Sequence, residues 1–236
     1  MTRVTIIETG IVSPKNRERH GSYPQMFERM IGAADPSVTF DTVGIPAGEP
    51  LPDIGGLEAI LITGSVAGVY DGFDWIAPLE AFARTAHGKK VPMVGVCFGH
   101  QLIAQALGGT VRKSEKGFGL GRHVYDVVPD NGLIDGPQIA LACSHQDQVI
   151  TPPAGTRTIL SSDFTPHAGL LYSDTTLSVQ AHPEFTVGFA LACCEMVRSK
   201  GGAPENVLTA AETSLAEPLE SARLGAAITR FLTRTS

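Results

Sequence analysis

Charge is scarce in this sequence: 18% of its 236 residues are Asp, Glu, Lys or Arg, against roughly 25% in an ordinary globular domain. Basic residues are also the minority, 18 against 24 acidic, for a formal net charge of −6. That balance excludes a broad positive field for nucleic acid or an anionic membrane. No apolar run reaches the roughly 18 residues that would suggest a membrane-spanning helix. The N-terminal stretch MTRVTIIETG lacks the long apolar core and small-residue cleavage site of a signal peptide, so a cytoplasmic protein is expected. Cysteine is sparse as well. Cys97, Cys143, Cys193 and Cys194 form no C-x-x-C pair, and the last two are neighbours. They read as thiols of a reducing compartment rather than a disulfide framework. The seven histidines make no metal-ligand spacing with cysteines or acids, so no metal is expected.

An apolar fraction of 43% excludes wholesale disorder. A chain this long buries about 70% or more of its unfolded surface without staples. Turn formers are in excess, with 26 glycines and 16 prolines against about 12% of residues in an average chain. No repeat accounts for them, which excludes a collagen-like chain and leaves many tight turns.

Short apolar runs alternate with helical patterns. Strands are expected at Val4–Ile7, Val38–Val43, Ala59–Ile62 and Val91–Val96, the last buried on both faces. Helices are expected at Tyr23–Ile31, at Asp74–Ala86 with Asp71 or Asp74 as N-cap, and at His100–Leu107, ending on Gly108-Gly109. From Thr110 to Gln180 short strand-like runs follow one another. After Pro183, Val187–Val197 and Leu219–Leu232 have helical periodicity. The expected fold is α/β: an open, mostly parallel sheet flanked by helices, with extra C-terminal helices. One domain is expected over residues 1–236, with a core at about 4–198 and a helical extension at about 203–236.

The chemistry concentrates in three places. Val94-Gly95-Val96-Cys97-Phe98-Gly99-His100-Gln101 is a buried strand, then G-x-C-x-G, then a helix. It is a cysteine version of the nucleophile elbow, in which Gly95 and Gly99 permit a sharp strand-to-helix turn. The turn lifts a thiol out of the sheet's carboxyl edge to a helix N-terminus, where the dipole favours thiolate. A thiolate in acyl transfer needs an oriented base. His182-Pro183-Glu184 supplies an imidazole and a carboxylate two residues apart on one side of an extended chain. Thr63-Gly64-Ser65 follows a strand and can aim backbone N–H groups at the site. With the N–H of Phe98, it would form an oxyanion hole.

In this order the three pieces resemble the class I (triad) glutamine amidotransferase family. The family elbow is matched by Gly95, Cys97, Gly99 and Gln101, and its H-P-E by His182, Pro183 and Glu184. Its oxyanion loop is matched by Thr63, Gly64 and Ser65, with Val66 where a proline is usual. The segment from Ser144 to Val149 matches a further S-H-x-D-x-V pattern. The resemblance implies a flavodoxin-like fold, no cofactor, and a role for Gln101, Ser144 and His145 in holding the amino-acid end of glutamine. Within the family the chain is similar to free-standing proteins resembling the amidotransferase part of GMP synthase, and to gamma-glutamyl peptidases. It has no G-x-x-x-x-G-K-[ST] phosphate loop, so acceptor-activating chemistry is not expected in it.

Several functions stay open at this point. The chain is a glutaminase that hands ammonia to a separate synthetase, a free-standing hydrolase of gamma-glutamyl compounds, or a silent binding protein of the same fold. The intact Cys97, His182 and Glu184 argue against the last. A cysteine α/β-hydrolase would place its acid before its histidine, the reverse of the order here. Leaving amine, partner and oligomeric state are not legible.

Overall fold

The computed structural model describes residues 1–234; Thr235 and Ser236, the end of the expected helical extension, lie outside the described residues. In chain order the elements are β1 (Arg3–Glu8), α1 (Pro14–His20), α2 (Tyr23–Ala34), β2 (Thr39–Gly44), β3 (Ala59–Ile62), α3 (Ile76–Gly88), β4 (Met93–Val96), α4 (Phe98–Ala106) and β5 (Thr110–Lys113). They continue with β6 (Gly119–Val127), β7 (Gln138–His145), β8 (Asp147–Thr151), β9 (Arg157–Ser161), β10 (Gly169–Ser173), β11 (Thr176–Val179), α5 (Val187–Ser199), α6 (Glu205–Ser214) and α7 (Ser221–Leu232).

Nine strands form one sheet in the order β2-β1-β3-β4-β11-β10-β9-β6-β7, and β5 pairs with β8 beside it. The first five are parallel neighbours, and from β11 onward the pairing is antiparallel. β3 and β4 are buried along their whole length, as strands covered on both faces must be. Alternation sends Ile60 and Ile62 towards Leu79, Phe82, Leu102 and Ile103 of α3 and α4. It sends Ala59 and Leu61 towards Phe27 and Ile31 of α2 and Leu224, Ile228 and Phe231 of α7. Each such large side chain contributes about 1.5–3 kcal/mol by leaving water. The C-terminal helix is therefore part of the wall of the main sheet, and α5 and α6 cover the antiparallel half.

The antiparallel half curls. Although β7 is the last strand in the sheet order, its Ala142 forms a bridge to His182, just past β11, with the His182 N–H donating to the Ala142 carbonyl at 2.9 Å. The end of β7 is thereby carried back to the carboxyl edge of β4.

Several local expectations need correction. Helix α3 starts at Ile76 with Trp75 as N-cap and no side-chain cap; the Asp71 carboxylate instead accepts from the Gly68 N–H at 2.7 Å. The elbow strand starts at Met93 rather than Val91, and the elbow helix starts at Phe98 rather than His100, directly after the thiol. Helix α1 was not expected: it buries no residue, so it carries no apolar periodicity to read.

Candidate active site

Cys97 ends β4 and caps α4 with φ 53° and ψ −102°. It is the one buried residue among the three non-glycine residues with positive φ in the described chain. A non-glycine residue held there stores on the order of 1–3 kcal/mol of strain, which persists only where the surroundings enforce it. Here the Cys97 N–H donates to Val179 of β11 at 2.9 Å, and the Gly99 N–H donates to the Thr63 carbonyl at 3.1 Å. The elbow glycines are required by contact. A Cβ on Gly99 would run into the Ile62 carbonyl, and one on Gly95 into the Gly99 carbonyl.

His182 and Glu184 lie over β11's end. The imidazole Nδ1 is 2.8 Å from Glu184 Oε1, and both side chains are buried. Burial works against a charged imidazole, but the Glu184 carboxylate and then the adjacent Cys97 sulfur outweigh it and raise His182 to about 10. The imidazole is thus held between a carboxylate and a sulfur, both of which favour its charged form.

The loop after β3 approaches from the other side. A Cβ on Gly64 would stand 3.1 Å from His182 Cε1 and 3.6 Å from Cys97 Cβ, so only glycine leaves the gap open. Thr63 is fully buried and fixes this loop. Its side-chain oxygen accepts from the Thr9 N–H at 3.0 Å, and its carbonyl accepts from the Thr9 hydroxyl at 2.9 Å. Gly10 completes the support, since a Cβ there would lie 2.7 Å from the Gly64 carbonyl. Among the described residues the N–H groups of Ser65 and Phe98 have no hydrogen-bond acceptor. Val66, at the position where proline is usual, is exposed at the lip.

The curled β7 brings in the third set. The Ser144 carbonyl is 4.0 Å from Cys97 Sγ. His145 Nδ1 donates to the Asp147 carbonyl at 3.0 Å. Burial lowers His145 to about 3, so it is neutral and its Nε2, which has no partner, is an acceptor. Gln101 Nε2 donates to the Asp147 carbonyl at 2.9 Å and to Gln180 Oε1 at 3.2 Å. Its own Oε1 is left to accept, so Gln101 suits a donor such as an ammonium.

Ser65, Cys97, Gln101, Ser144, His145 and His182 line one cleft of about 340 Å³, with Gly64, Phe98 and Glu184 immediately behind it. Sequence reasoning missed much of the rest of its wall. Tyr70 donates to Asp147 Oδ1 at 2.7 Å across the mouth. Phe185 stacks on His182; its place directly after H-P-E was the available signal. Tyr23, Phe118, the α5 residues Cys193, Met196 and Val197, and Lys200 just after that helix also line it, and no motif marks them.

A family model described as glutamine amidotransferase class-I matches residues 19–190. The chain belongs to the class I glutamine amidotransferase family. Its sequence is 29% identical to gamma-glutamyl peptidase 2 of Arabidopsis thaliana over 84% of this chain and 82% of that one. It is 30% identical to one subunit of the glutamine-hydrolyzing GMP synthase of Sulfolobus acidocaldarius over 61% of this chain and 76% of that one. The fold of a glutamine amidotransferase from Thermotoga maritima superposes with a TM-score of 0.75 at 18% identity, covering 99% of both chains. One from Methylobacillus Flagellatus superposes with a TM-score of 0.77 at 20% identity, covering 98% of this chain and 94% of that one. The amidotransferase fold, with its parallel central strands flanked by helices and its added C-terminal helices, is thus the one the sequence led us to expect. Among the described residues no helix is long and apolar enough to cross a membrane.

Proposed function

We propose that this amidotransferase-family protein hydrolyses a gamma-glutamyl amide through a thioester on Cys97. The observation that carries the reading is the pairing of a strained, buried Cys97 with the His182–Glu184 contact of 2.8 Å. The thiolate adds to the amide carbon, and the oxyanion takes the free N–H groups of Ser65 and Phe98. Each such donor is worth about 3–4 kcal/mol of barrier. The carbon–nitrogen bond then breaks, and His182 gives its proton to the departing amine. His182, now neutral, takes a proton from water, whose oxygen attacks the thioester. Sulfur leaves as thiolate, and glutamate is released. Glu184 orients His182 throughout.

The same chemistry on glutamine itself would yield ammonia for a separate synthetase partner, a reading favoured by the likeness to part of a GMP synthase. Likeness to gamma-glutamyl peptidase 2 over more of both chains favours autonomous hydrolysis. Glutamate release from glutamine and from gamma-glutamyl dipeptides, for wild type and Cys97→Ala, tests the proposal. Turnover of dipeptides by wild type, abolished in the variant, is expected. Undiminished turnover by Cys97→Ala would sink the thioester.

A further inference from the structure

The cleft continues past the thiol along one side of α5. Cys193, Met196, Val197 and Lys200 recur at i, i+3, i+4 and i+7, and all four line the cleft. Over about 10 Å of helix the wall thus passes from a thiol through two apolar side chains to an exposed ammonium. Phe118 packs against Val197 and extends the apolar part. Lys200 has no ion-pair partner among the described residues, whereas nearby Arg198 is held by Glu195, Glu205 and Glu212.

The opposite end has the other character. The Asp71 and Asp147 carboxylates converge on Gly68, where a Cβ would lie 3.1 Å from an oxygen of each. Gln101 offers a carbonyl oxygen beside them. Lys113 also lines the cleft but stands across the β5–β8 ladder from Asp147 and belongs to this end. The acceptor-rich end suits the free ammonium of a glutamyl group.

His182 adjoins the α5 wall. Its stacking partner Phe185 shares an apolar cluster with Cys193 and Met196. The imidazole and the α5 wall thus border the same cleft, and with the ammonium at the acceptor-rich end the α5 arm is the part left for the group beyond the scissile nitrogen. We propose that the α5 arm binds the group beyond the scissile nitrogen and selects an amine with an apolar side chain and a free carboxylate, as in a gamma-glutamyl dipeptide. Met196 and Val197 take the side chain and Lys200 the carboxylate; glutamine leaves the arm unfilled. This rests on the Cys97 thioester reading.

The test compares kcat/KM for gamma-glutamyl-leucine, gamma-glutamyl-leucinamide and gamma-glutamyl-glycine in wild type, Lys200→Glu and Met196→Ser. Ratios between substrates cancel any damage to acyl transfer itself. Wild type should prefer the carboxylate over the amide by roughly fivefold, the scale of one exposed ion pair, and Lys200→Glu should bring that ratio to one or below. Met196→Ser should cut the preference for leucine over glycine by roughly fivefold, the scale of apolar contacts in such a pocket. Dipeptide cleavage with a ratio unmoved by its variant overturns that part of the proposal and leaves the hydrolase reading standing. Failure of wild type to cleave either dipeptide while it still releases glutamate from glutamine overturns the α5 arm and leaves the thioester standing; failure on glutamine as well overturns both.

Discussion

The imidazole of His182 lies face to face on Phe185, with ring centroids 3.9 Å apart and planes 8° from parallel. Phe185 is in turn held edge-on by Phe189 at 4.6 Å. One face of the imidazole is thereby closed to water, and its positive charge rests on an aromatic ring, an attraction of about 0.5–2 kcal/mol. Phe185→Leu keeps the volume but loses the ring's charge distribution. It should leave the protein folded and move the basic limb of the pH–rate profile downward by less than about one unit. An unchanged limb would mean that the stack only packs.

Glu184 is the larger influence on the same proton. His182 is raised from 6.5 to about 10, with the Glu184 carboxylate opposing the effect of burial. Turnover that needs His182 as an acid should therefore hold through neutrality and fall as pH rises through about 10. Glu184→Gln removes the carboxylate, so the fall should begin at lower pH, and kcat should drop by about 10²–10⁴-fold. Stability has the same sign. A raised imidazole contributes fully below the unfolded value of 6.5 and loses that contribution as pH rises through about 10. Urea unfolding of wild type and Glu184→Gln at pH 7 and pH 10 measures the difference, which should shrink at the higher pH.

Two other histidines act in the opposite direction. His100 and His145 are lowered to about 3, burial being the leading cause in both. Their neutral forms are favoured in the fold, so the stability they contribute is complete above about 6.5 and lost as pH falls from there towards 3. The unfolding midpoint in urea should decline from pH 6.5 to pH 5. His100→Gln should lower stability at pH 7, since it breaks the 2.7 Å contact to Ser178, but flatten that decline. An equally steep decline in the variant would reject His100 as a source.

Glycine substitutions should separate elbow from turn. Gly99→Ala drives a methyl into the Ile62 carbonyl. It should cost more than about 3 kcal/mol, in the range reserved for backbone and packing conflicts. Gly56→Ala meets nothing within 4 Å and should stay within about 0.5 kcal/mol of wild type by urea denaturation.

Much of this architecture was legible because its signals are local. β3 and β4 announce themselves as apolar runs, and the elbow and H-P-E carry their chemistry in a few adjacent residues. What was not legible depends on long-range folding. Nothing in β7 says that a strand at the far end of the sheet order returns to His182, and that return is what sets Ser144 beside Cys97. Helix α1 escaped because none of its side chains is buried. The α5 wall escaped for the opposite reason: Cys193 and Val197 read as ordinary core positions, and both are buried while also facing the cleft.

The strands bearing Cys97 and His182 are immediate neighbours, and the last rung between them is the Cys97 N–H on Val179. The two residues thus leave adjacent strands of a β-ladder, whose spacing of about 4.8 Å is a constant of the polypeptide, set before any substrate arrives. The helix that faces the departing group belongs to a separate layer. Reactivity and choice of substrate are therefore inherited largely through different parts of the chain, and a lineage could exchange what it cleaves by rewriting the far end of α5, from Met196 to Lys200, while Phe189 at its near end still braces Phe185 and the bond-breaking apparatus.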